Sequence, residues 1–106
     1  MAKVKWQKRA RQHEREALAY ALREYQKSSV KSIYEQIKRV ETILANNPRI
    51  GAHEYYLARR SREYRSLFVP KFYKIVYYIK EETDTVWIVG FWDTRKEPVL
   101  QASRLS

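Results

Sequence analysis

The strongest constraint on this chain is a change of hydrophobic period midway along it. Val30, Ile33, Ile37, Val40 and Leu44 step by three and four residues, which places them along one stripe of a helix, and Asn46, Asn47 and Pro48 end the pattern. Beyond Tyr64 the β-branched and aromatic residues crowd into three runs, Tyr64 to Val69, Phe72 to Ile79 and Val86 to Trp92, which is strand chemistry. A chain built this way packs helices from its first half on a sheet from its second.

The remaining elements follow from weaker signals. Val4 and Trp6 alternate with Lys3, Lys5 and Gln7, the pattern of a short half-buried strand. From about Ala10, the residues Ala10, Ala17, Leu18, Ala21, Leu22 and Tyr25 recur at helical spacing. Gln26 to Ser29 reads as a break, with Ser28 or Ser29 placed to cap the following helix, so the two helices form an antiparallel hairpin. Between Pro48 and about Glu63 the chain is polar, with a turn at Gly51 and a further helical turn at Tyr55, Tyr56 and Leu57. Pro70 and Lys71 join the first two strands of the second half, and the charged run Lys80 to Thr85 suits a hairpin. The expected fold is α+β, ordered β-α-α-β-β-β, with a helical hairpin on a mainly antiparallel four-stranded sheet in one domain spanning 1–106.

Strands two and three carry large residues on both alternating sets, with Phe72, Val76 and Tyr78 on one and Tyr73, Ile75, Tyr77 and Ile79 on the other. The helices can cover only one face. The second face is then either an uncovered aromatic surface that suits a protein partner or is covered by Val99, Leu100 and Leu105 of the tail.

Charge narrows the partners. The chain carries 22 Lys and Arg against 12 Asp and Glu, a net +10, which calls for a polyanionic target or an acidic partner. The excess sits in the first third and around Arg59, Arg60, Arg62 and Arg65, whereas the segment from Ile75 onward is nearly neutral. With no cysteine and two histidines, no metal or other cofactor is expected. No Gly-rich phosphate loop, HExxH or nucleophile elbow is present. His13, His53 and the turn carboxylates Glu81, Glu82 and Asp84 read as solvated surface groups. Without an apolar run of about 20 residues, no membrane association is expected and a cytoplasmic location is the default.

The segment YRSLFVPKFYKIVYYIKEETDTVWIVGFWDTRKEP, Tyr64 to Pro98, resembles the RelE/ParE superfamily of bacterial toxins. In that superfamily an arginine-bearing strand leads into a Tyr-Lys-Ile-Val-Tyr-like strand, and the last strand ends in an Asp-x-Arg-x-x-Pro element, here Asp93 to Pro98. The strand VKW and the helix closing on NNPRIG are similar too, so the likeness covers nearly the whole chain. It implies the toxin of a type II toxin–antitoxin pair, neutralised by a cognate antitoxin. The aromatic residues Phe72, Tyr73, Tyr77, Tyr78, Trp87 and Trp92 are the expected antitoxin-binding set.

The resemblance leaves two targets. RelE-like members cleave messenger RNA on the ribosome, with basic side chains stabilising the phosphate transition state while a ribose 2′-hydroxyl attacks. ParE-like members inhibit DNA gyrase. Arg65 and Arg95 match arginine positions of the RNA-cleaving relatives and are the catalytic candidates if the protein is a ribonuclease. Together with Arg59, Arg60 and Arg62 they are the candidates for target or phosphate binding. Those relatives usually add a tyrosine or histidine in the C-terminal segment, and KEPVLQASRLS has neither. The Asp-x-Arg-x-x-Pro ending is more similar to the ParE branch. The expectation is therefore a growth-arresting, gyrase-inhibiting toxin, with a ribosome-dependent endoribonuclease as the first alternative and a basic nucleic-acid-binding module as the second.

Overall fold

The computed structural model describes residues 1–105. β1 (Lys3–Trp6) is followed by α1 (Lys8–Glu24), α2 (Lys27–Asn46), the short β2 (Ala52–His53) and a 3-10 turn over Tyr55–Leu57. The chain continues through β3 (Arg65–Val69), β4 (Tyr73–Lys80), a second 3-10 turn at Glu81–Thr83, β5 (Thr85–Asp93) and α3 (Pro98–Ser103). The strands lie in the order β1-β5-β4-β3-β2, with β1 parallel to β5 and the other pairs antiparallel.

The α+β class and the helical hairpin follow the sequence reading, with differences in detail. The sheet has five strands instead of four, because Ala52 and His53 pair with Ser66 and Arg65 at its edge, and two residues are too few to show alternation. α1 starts at Lys8, earlier than Ala10. The break between the helices shrinks to Tyr25 and Gln26; Ser28 and Ser29 lie inside α2, and Gln26 takes the cap position without a side-chain hydrogen bond. Ser29 N donates to Gln26 O at 3.0 Å, and residues 27 and 28 are exposed, so water can satisfy the remaining first-turn amides.

Ile37, Val40 and Leu44 of α2 and Ala10 of α1 close one face of the sheet over Val69, Tyr73, Ile75, Tyr77, Val86, Ile88 and Phe91. The other face is also covered. Val76, Tyr78, Val89 and Trp92 are buried beneath Leu57 of the first 3-10 turn, Ala102 of α3 and Leu105. Of the two alternatives for the second face, cover by the tail is the one observed. Tyr73 and Tyr77 lie under the helices, Tyr78 and Trp92 lie under the tail, and only Phe72 and Trp87 stay partly accessible. Of the three tail residues proposed as a cover, Leu105 serves, while Val99 and Leu100 face solvent.

Two local features let both faces fill. Tyr77 pairs with Ile88 and Val76 with Gly90, leaving Val89 as an extra residue on β5. The bulge shifts the alternation so that Phe91 returns to the helix side and Trp92 to the tail side. Gly90 is needed there, because a Cβ would sit 2.6 Å from Trp92 Nε1. At the end of β5 the Gln101 side chain stands in for a strand neighbour: its Oε1 accepts from Asp93 N at 2.8 Å and its Nε2 donates to Asp93 O at 2.9 Å.

Candidate functional site

Arg65 opens β3 between His53 of the edge strand β2 and Tyr77 of β4, and its side chain is mostly buried. Its Nη1 donates to the carbonyls of Gly51 at 2.8 Å and Arg49 at 3.2 Å, and its Nη2 to Glu63 Oε1 at 2.9 Å. The Tyr77 hydroxyl reaches the same loop from beneath, donating to Pro48 O at 2.7 Å and accepting from Gly51 N at 3.0 Å. Burial pushes the Tyr77 phenol above its ordinary pKa, so it remains protonated for this role. Gly51 is required at the crossing, since a Cβ would fall 2.6 Å from both Ser66 O and Tyr77 Oη. Arg65 therefore fastens the loop that follows α2.

Around this clamp Arg49, Arg62, Arg65, Tyr78 and Ile79 line a cleft of about 200 Å³, together with Glu63 and Glu81. Glu81 pairs with Arg49, and Glu63 bonds both His53 and Arg65. The His53 hydrogen bond is the main cause holding the Glu63 carboxyl below the ordinary range. The Arg62 guanidinium lies 4.2 Å from the centre of the Tyr78 ring, Arg60 donates to Ala102 O, and Arg59 is exposed.

Arg95 belongs to a different place. Its Nε and Nη2 take the two oxygens of Asp93 at 3.0 and 2.9 Å, its Nη1 donates to Tyr25 Oη at 3.3 Å, and its plane covers Phe72 at 4.1 Å. These hydrogen bonds raise the Arg95 pKa. Burial works to raise that of Asp93, but the hydrogen bonds from Arg95 outweigh it and leave the carboxyl below the ordinary range. Arg65 is in register with Tyr77 and Asp93 with Tyr73, four positions apart on β4, which corresponds to about 13 Å at the rise of a strand, and Arg95 lies beyond that end. The two arginines are not brought together into one site.

Two further features were not legible in the sequence. Lys74 pairs with the buried Glu54 and lies 4.8 Å from the Trp92 ring, tying the first 3-10 turn to the tail side of the sheet. Along α2, a groove of about 450 Å³ runs past Tyr25, Ser28, Ser29, Ser32 and Ile33 against Lys71, Phe72 and Tyr73. It meets, at Gln36 and Pro70, a second cavity of about 220 Å³ lined by Arg39, Val40, Ile43, Ile50, Leu67 and Phe68. Neither cavity is lined by a carboxylate. Their residues come from α2, the loop after it and the β3–β4 link, so no local motif announces them.

A family model described as "ParE toxin of type II toxin-antitoxin system, parDE" matches residues 4–98. The chain belongs to the ParE toxin family. This ParE-family protein is therefore a type II toxin, and membership implies a cognate antitoxin. No curated protein matches its sequence. Solved structures of RelE share its fold. A free-state Escherichia coli RelE carrying two arginine-to-alanine substitutions is 19% identical with a TM-score of 0.58, covering 98% of this chain and 97% of its own. The isolated Escherichia coli RelE toxin in a second structure is 16% identical with a TM-score of 0.57, covering 97% and 95%. Among the described residues of the ParE-family chain, no helix is long and apolar enough to cross a membrane.

Proposed function

We propose that this protein arrests bacterial growth by inhibiting DNA gyrase, and that its antitoxin neutralises it by occupying the groove along α2. The observation that carries the first part is the separation of Arg65 from Arg95. A phosphoryl-transfer site needs its cationic and proton-transferring groups within reach of one phosphate. Here one arginine clamps a loop and the other is paired with Asp93 at the far end of the sheet. The ParE family match and the lack of tyrosine or histidine after Lys96 support the same reading.

The groove supports the second part. Its charged lining residues, Arg39 and Lys71, are both basic, and apolar Ile33, Ile43, Ile50 and Phe68 recur along it. An amphipathic acidic segment matches that lining. Phe72 and Tyr73, from the aromatic set expected to bind antitoxin, line this groove.

The deciding experiment places purified protein in a gyrase supercoiling assay and in a translating extract. Supercoiling should be inhibited while ribosome-bound message stays intact. Site-specific message cleavage without gyrase inhibition would replace this reading with the ribonuclease one.

A further inference from the structure

The first 3-10 turn carries a feature that neither the sheet clamp nor the α2 groove uses. Tyr55 and Tyr56 stack on each other, with ring centroids 5.1 Å apart and planes 15° from parallel. Tyr55 is 73% exposed and Tyr56 46%. Consecutive tyrosines held in this way present a flat aromatic step to solvent. The step is rigidly mounted: Glu54, itself buried, accepts from Tyr56 N at 3.1 Å, and its other oxygen pairs with Lys74. Leu57 is buried beneath the turn.

The chain then turns tightly, with Ala58 N donating to Tyr55 O and Arg60 N to Leu57 O. Arg59 follows two residues after the end of the turn at Leu57. Arg59 is exposed and, among the described residues, has no carboxylate within salt-bridge distance and no side-chain hydrogen bond. Lys74 Nζ lies 6.0 Å from the Tyr56 ring. A stacked aromatic step beside an uncommitted cation is the pairing that single-stranded nucleic acid recognises, a base on the ring face and a phosphate on the guanidinium.

We infer that Tyr55, Tyr56 and Arg59 form a binding platform for single-stranded nucleic acid, separate from the α2 groove. Charge alone would suit an acidic protein equally well. The shape favours a base: the stacked, solvent-exposed rings offer a flat aromatic face, and a base needs only a face.

The test is fluorescence anisotropy of the full chain with labelled 12-nucleotide single strands of DNA and of RNA, the same DNA as duplex, and poly-glutamate as competitor. Single strands should bind at least tenfold more tightly than duplex and resist poly-glutamate. Tyr55→Ala should weaken single-strand binding by about five- to a hundredfold, while Tyr55→Phe, which keeps the ring, should retain it. Arg59→Ala should reduce the salt dependence by about 0.7 in the log–log slope. Near-UV circular dichroism of each variant checks that the fold is kept, and the DNA and RNA arms show which backbone is preferred. Equal binding of duplex, or an unchanged affinity in Tyr55→Ala, would reduce the effect to plain charge and overturn the inference. Displacement by poly-glutamate would reassign the platform to an acidic protein. None of these readouts depends on gyrase, so failure here and failure of the toxin reading are separable.

Discussion

At Arg65 the guanidinium joins two carbonyls of the loop after α2 to the first residue of β3. Charge-assisted bonds of this kind contribute about 1.5–3 kcal/mol when the group is largely withdrawn from water. Arg65→Ala should lower unfolding stability in urea by that amount, and Arg65→Lys should restore little of it, because an ammonium cannot reproduce the planar fork. Tyr77→Phe tests the same loop from below. It strands Pro48 O and Gly51 N without their shared hydroxyl, at a cost of about 1–3 kcal/mol in the same measurement. Arg95 behaves differently, since its side chain is 38% exposed and pairs on the surface. Arg95→Ala should cost only about 0–1 kcal/mol. Its partner sets a pH dependence: the Asp93 carboxyl is held below its ordinary value of 3.8, so the stability it contributes is complete above that value and disappears as pH falls through the lower folded one. Asp93→Asn should flatten the acid limb of a stability–pH profile below about pH 4, and an unchanged limb would remove the pair as its cause.

The elements that declared themselves in the sequence are those whose periodicity runs long enough to repeat. Five apolar positions on α2 and the dense β-branched runs of β4 and β5 could be read directly, because burial on one face selects residue type at every return of the period. β2 is two residues long and α3 six, so neither completes a pattern, although Glu97 capping Val99 N ahead of Pro98 is a start signal that could have been weighed. Missing α3 had a consequence for the site. Without α3, the sequence leaves open whether Tyr78 and Trp92 meet a partner or the tail; Ala102 and Leu105 bury them. The bulge at Val89 was equally silent, because an extra residue in a strand that is apolar on both faces leaves the composition unchanged. The candidate arginines were visible as charges; what each one bonds is a tertiary fact, and sequence spacing carries no record of it. If α3 is the cover, Gln101→Ala should loosen it by removing both bonds to the Asp93 backbone. Tryptophan emission should then shift to the red as Trp92 meets water, and emission identical to the parent would show that Ala102 and Leu105 hold the tail unaided.

Charge and shape act together only over the whole molecule. A net charge of +10 draws any polyanion, and so cannot by itself choose between an antitoxin, a nucleic acid and an enzyme target. Position makes the choice. Arg39 and Lys71 flank the apolar groove along α2, while the exposed Arg59 follows the stacked tyrosines in the chain. An acidic segment approaching the groove is steered by the former pair, and rim charges of this kind act mainly on association rate. Both residues are exposed, so reversing them leaves the core untouched. The double variant Arg39→Glu, Lys71→Glu should therefore fold normally and associate with its antitoxin more slowly, by about tenfold or more at low salt, with the difference shrinking as ionic strength rises. Co-expressed antitoxin should then rescue growth poorly, while the toxin alone arrests growth as the parent does. Stopped-flow association across a salt series and a paired growth assay measure the two halves. An association rate equal to the parent's would move the antitoxin off this groove, and loss of growth arrest in the variant would mean that the groove meets the toxin's target instead.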